Sequence, residues 1–102
     1  MLELRPNCEA CDVDLPPSSP DACICSYECT FCRSCVETLL KNVCPNCGGG
    51  LVARPIRPAG EYRPATGLAY DPPSTRRRQL KWSRGEIADF ADRLAAVAPE
   101  RR

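Results

Sequence analysis

Nine cysteines confined to the stretch from Cys8 to Cys47 constrain this chain more than any other feature it has. Thiols at that density form either a disulfide framework or a metal scaffold. Little else is available to hold the fold, because only 6 of the 102 residues are aromatic and 11 are proline. A chain of that size and make-up cannot bury a large apolar core. Its first residues, Met1-Leu2-Glu3-Leu4-Arg5-Pro6, show neither the basic start nor the apolar run of a secretory signal. No stretch approaches the roughly twenty apolar residues of a membrane span. The expectation is a cytoplasmic protein with no membrane association. In that reducing setting clustered cysteines are metal ligands, and an odd total leaves one thiol over.

Eight of the nine fall into close pairs, Cys8/Cys11, Cys25/Cys29, Cys32/Cys35 and Cys44/Cys47. Three pairs are Cys-x-x-Cys, a spacing that lets two sulfurs face one ion from a tight turn while backbone N–H groups bond to them. Gly48 after Cys47 and Pro45 inside the last pair suit such a turn, since glycine tolerates positive φ and proline presets its own. Four pairs make two tetrahedral sites, for which two Zn2+ ions per chain are the expected occupants. Sequential, nested and interleaved groupings of the pairs all satisfy the count. Cys23 is left as a spare, partly buried thiol.

Charge divides the chain. Residues 1–50 carry seven acidic side chains and three basic ones, whereas residues 51–102 carry eleven basic and six acidic. A zinc ion held by four thiolates adds a further −2 to the front half, which argues against direct nucleic-acid contact there. Three parts are expected: a two-zinc module at 1–54, a Pro-rich extended linker at 55–79, and a basic segment with a helix at 80–102. Ser83 with Glu86 is a capping-box signal, and Ile87, Phe90, Ala91, Leu94 and Ala98 follow at helical spacing until Pro99. That predicts a helix over residues 84–98. A second, short helix is predicted over residues 36–41, and Phe31, Val36, Leu39, Leu40 and Val43 are the candidate core.

The run Cys29-Thr30-Phe31-Cys32-Arg33-Ser34-Cys35, followed by Cys44-Pro45-Asn46-Cys47, resembles the second half of a RING finger. The resemblance implies a small, metal-dominated α+β fold of the treble-clef kind with a cross-brace. Cys8, Cys11, Cys32 and Cys35 would then hold one ion, and Cys25, Cys29, Cys44 and Cys47 the other. Cys29 stands where RING fingers usually have histidine, and three residues separate Cys25 from Cys29 where one is common. Over residues 1–58, the motifs Leu4-Arg5-Pro6-Asn7-Cys8-Glu9, Asp14-Leu15-Pro16-Pro17, Glu28-Cys29-Thr30-Phe31-Cys32 and Arg54-Pro55-Ile56-Arg57-Pro58 resemble domain of unknown function 1272, a family of small bacterial proteins. That likeness implies a bacterial RING-like zinc module and no activity.

No catalytic arrangement is visible. The chain has no histidine to act as a base, and a four-thiolate zinc site offers no open coordination position. The expected function is therefore a non-enzymatic zinc module that binds another protein, or a second copy of itself, through Ile87, Phe90 and Leu94. A nucleic-acid or ribonucleoprotein role through Arg76, Arg77 and Arg78, with Lys81 and Trp82, is the alternative. A ubiquitin-ligase role rests on fold analogy alone. Glu9-Ala10 stands where such ligases often carry a large apolar residue, and Gly48-Gly49 where an activating arginine is common.

Overall fold

A computed structural model describes residues 1–102. Two short strands, β1 (Ala22–Ile24) and β2 (Thr30–Cys32), form an antiparallel hairpin, and helix α1 (Arg33–Thr38) leaves β2 directly. Strand β3 (Val52–Ala53) returns to the free edge of β1, giving the sheet order β2-β1-β3. Helix α2 (Arg84–Leu94) and a 3-10 turn at Pro99–Arg101 complete the chain. No helix is long and apolar enough to cross a membrane.

The core is small and shared between sulfur and hydrocarbon. Phe31, Leu40, Val43, Cys8 and Cys44 are fully buried, with Leu4, Leu15, Leu51 and Val36 around them. Helix α1 begins three residues earlier than the expected 36–41 because Cys32 caps it: the Cys32 Sγ accepts the Cys35 N–H at 3.4 Å. A sulfur takes the place of the usual oxygen at the N-cap.

Residues 55–79 contain no helix or strand, as their prolines dictate, yet they are tied to the module along much of their length. Arg57 donates to the Leu2 carbonyl at 2.8 Å and Ser74 N–H to that of Leu4 at 3.0 Å. Asn7 Nδ2 donates to the Arg78 carbonyl at 2.8 Å, and Leu80 N–H to the Glu9 carbonyl at 2.9 Å. Residues 74–80 thus run alongside residues 4–9 in the same direction. This delivers the chain to the start of α2 beside the first cysteine turn.

Helix α2 carries the expected capping box, with Ser83 accepting the Glu86 N–H and the Glu86 carboxylate accepting that of Ser83. It stops at Leu94, short of residue 98. The residue before a proline is driven out of helical conformation, and Ala98 has ψ 140°. The helix was expected to find its surface outside the chain; instead it docks within it. Ile87 is buried in the core and Ala91 is 1% exposed. Phe90 and Leu94 lie over Gly48, where a Cβ would meet Leu94 Cδ1 at 3.1 Å, and Pro99 lies over Gly50. The seat arises from missing side chains, which a count of apolar residues does not register.

Candidate metal centres

Two turns of like geometry hold the outer cysteine pairs. In the first, Asp12 N–H donates to the Cys8 carbonyl at 2.8 Å and Asp12 has φ 68°. In the second, Gly48 N–H donates to the Cys44 carbonyl at 2.7 Å and Gly48 has φ 81°. Both fifth positions are left-handed, a conformation glycine adopts freely and aspartate tolerates. Backbone N–H groups point at sulfur in each: Cys11 to Cys8 Sγ at 3.5 Å, and Gly49 to Cys47 Sγ at 3.4 Å. Such bonds stabilise thiolates and orient them toward a common centre.

The first turn meets the end of β2 and the start of α1. The sulfurs of Cys8, Cys11, Cys32 and Cys35 all lie within 4.8 Å of one another, and those of Cys11 and Cys32 are 3.7 Å apart. Four sulfurs about 2.3 Å from a tetrahedral zinc would be about 3.8 Å from each other. The second turn meets the β1–β2 hairpin, where Cys25, Cys44 and Cys47 lie within 4.8 Å of one another. Cys29 stands outside this tight group of three, although its thiol is close enough to Cys25 and Cys44 to perturb both. Asn46 Nδ2 donates to Cys29 Sγ at 3.5 Å from the flank. All nine cysteines are free thiols.

The protonation pattern follows from crowding. Hydrogen bonds from Cys29 and then Cys44 hold the Cys25 thiol down to about 3, and the same contacts with Cys25 and Cys29 push Cys44 up. Burial, then Cys32, pushes Cys35 up. Two thiolates about 4 Å apart repel by about 4 kcal/mol at an effective dielectric near 20, so charge on one crowded sulfur opposes charge on the next. A dication at the centre would reverse that balance, so both groups have the donor chemistry of a metal site. They could hold metal ions, as a group of four and a group of three.

Cys23 belongs to neither group. It lies in β1 opposite Phe31 and Ala53, buried at 3% exposure, and burial pushes its thiol up. Cys23→Ser is expected to retain full metal content, whereas Cys25→Ser should lose one equivalent, read by inductively coupled plasma mass spectrometry. The opposite ranking would shift the ligand assignment by two residues.

The sequence reading missed a buried polar frame around the first turn. Glu9, 6% exposed, accepts from Arg5 Nη1 at 3.0 Å and from the Thr30 N–H at 2.6 Å. Arg54, 4% exposed, donates to the carbonyls of Arg5, Leu15 and Pro16. Asn7 bridges Asp12 and Arg78. Polar residues packed against a cysteine pair in Leu4-Arg5-Pro6-Asn7-Cys8-Glu9 were the available signal. The arginine run is likewise engaged: Arg77 pairs with Asp12 and Asp14 at 2.8 and 2.7 Å, and Arg78 with Glu3 at 3.0 Å. Asp12 and Asp14 are thus ion-paired while remaining exposed.

A family model described as a protein of unknown function, DUF1272, matches residues 1–57. The chain belongs to this family. Its DUF1272 region contains both sulfur groups, the sheet and the Arg5, Glu9 and Arg54 frame, while α2 lies outside it. An uncharacterized protein of Rhizobium meliloti (strain 1021) is 70% identical over 59 residues, which cover 58% of this chain and 70% of the relative. No solved structure matches the DUF1272 chain.

Proposed function

We propose that this DUF1272 protein is a zinc-stabilised, non-catalytic module that serves as an adaptor. The observation that carries the reading is the convergence of seven cysteines from four pairs, distant in sequence, into two sulfur groups in a chain with no histidine. Zinc favours thiolate donors in tetrahedral number, and a site closed by four sulfurs has no position for substrate or water. In this reading Cys29 closes the second group as its fourth ligand, and the interleaved use of the pairs is a RING-like cross-brace. Native mass spectrometry of protein purified from cytosol should find two zinc ions per chain. One ion, an iron cluster, or intramolecular disulfides would overturn it.

The apolar stripe of α2 is a weaker candidate for the adaptor surface, because Ile87 is buried in the core and Phe90 and Leu94, half-buried, rest on Gly48. A ubiquitin-ligase reading also loses ground. Glu9 is a buried ion-pair member, and α2 covers the second cysteine turn. Two aromatic side chains are exposed beside the sulfur groups: Tyr27, between Cys25 and Cys29, and Trp82, 46% exposed, with its Nε1–H bonded to Asn46 Oδ1 at 2.9 Å.

A further inference from the structure

A concavity of about 540 Å³ lies between the arginine run and the second sulfur group, with Trp82 as one wall. Five cations line it, but most are already engaged. Arg5 is paired with Glu3 and Glu9, Arg77 with Asp12 and Asp14, and Arg78 with Glu3. Arg76 and Lys81 have no acidic partner. Trp82 is held in one orientation by Asn46 and forms the ridge between this groove and two smaller hollows. The groove therefore presents a fixed aromatic face together with two free cations, Arg76 and Lys81, on the chain segment that leads into it.

We propose that this groove takes a short single-stranded nucleic-acid segment, with one base stacked on Trp82 and neighbouring phosphates on Arg76 and Lys81. The proposal rests on the reading of the chain as a metal-stabilised binding module and names its partner. Every base offers a π-face to an aromatic platform, and a backbone of phosphates satisfies unpaired cations at intervals. An acidic peptide would match the cations but has no flat group for the indole. A duplex would hide its base faces and would need a broad basic surface, whereas the front half of the chain is acidic. Two four-thiolate zinc sites make the whole chain net acidic, so the attraction is local and the affinity is greatest at low salt.

The test uses full-length protein at about 50 mM salt with a fluorescein-labelled single-stranded oligonucleotide of mixed sequence, followed by anisotropy and by the emission of Trp82, the one tryptophan. Binding should quench that emission. Trp82→Ala should weaken binding about ten-fold, with Trp82→Phe intermediate because it keeps a stacking face. Two phosphate contacts predict a log–log salt slope of about −1.4, which Arg76→Ala/Lys81→Ala should flatten toward zero. Zinc content is measured on every sample. Protein that holds two zinc ions and does not bind the oligonucleotide overturns this proposal alone; protein without zinc overturns the module reading, and its binding is still scored. Binding without quenching, equal binding of a duplex, or equal binding of a glutamate-rich peptide of matched charge would also overturn it.

Discussion

A strong chelator is expected to unfold both sulfur groups and release α2 with them. The metal-bound form of a thiolate site commonly gains about 10–16 kcal/mol from a structural zinc ion, whereas a whole small domain is stable by only about 5–15 kcal/mol. Loss of one ion is therefore comparable to the entire folding free energy. Here the dependence should be strong, because five of the 13 buried core residues, Cys8, Cys25, Cys29, Cys32 and Cys44, are cysteines whose sulfurs lie in or beside the two groups. The tail follows because its seat is the second turn: Leu94 and Phe90 rest on Gly48, Arg102 Nη1 donates to the carbonyls of Asn42 and Gly48, and Trp82 is bonded to Asn46. Far-UV circular dichroism should lose its helical signal while Trp82 emission shifts to the red. A thermal melt unchanged by chelation would mean that the hydrocarbon core alone suffices. Acid should act in the same direction, since protons compete with metal for thiolates.

Glu9→Ala is expected to be the most damaging substitution outside the cysteines, at about 3–5 kcal/mol. The carboxylate is 6% exposed and offsets the charge of Arg5, itself 8% exposed, while also accepting the backbone N–H of Thr30. Removing it leaves a buried guanidinium with the partly exposed Glu3 as its one acidic partner and the Tyr27 carbonyl at 3.4 Å, and leaves the Thr30 N–H unpaired in β2. Each orphaned buried group costs about 1–3 kcal/mol, more when charged. Because Thr30 lies between Cys29 and Cys32, the strand that feeds both sulfur groups should loosen. Urea denaturation of the zinc-loaded protein would measure the loss, with Glu3→Ala, a far milder change, as the comparison. A cost below about 1 kcal/mol would mean that the pair behaves as an exposed surface contact.

Much of the local chemistry was legible in residue order. Paired cysteines announce turns that hold sulfur, and seven of the eight expected sulfurs fall into the two groups. Gly48 was read as a turn residue and has positive φ, and Ser83 with Glu86 was read as a capping box and forms one. These features depend on neighbours within four residues, so sequence spacing is nearly the same as spatial spacing. The start of α1 escaped the reading because Cys32 was counted as a ligand and also serves as a cap.

Choices between distant partners were not legible in the same way. Spacing left three groupings of the cysteine pairs open, since any two turns can meet if the chain between them bends. The β1–β2 hairpin and the helix that follows it bring Cys32 and Cys35 to Cys8 and Cys11, and carry Cys25 to Cys44 and Cys47. The stripe on α2 stated that one face required cover but not whose surface would supply it, and Gly48 made the seat, with Gly50 taking Pro99 beyond the helix. Arg77 and Arg78 read as free charge until folding set them against Asp12, Asp14 and Glu3, more than sixty residues away. An amphipathic pattern or a charge records a requirement. The partner that satisfies it is selected by long-range geometry, which short-range spacing does not encode.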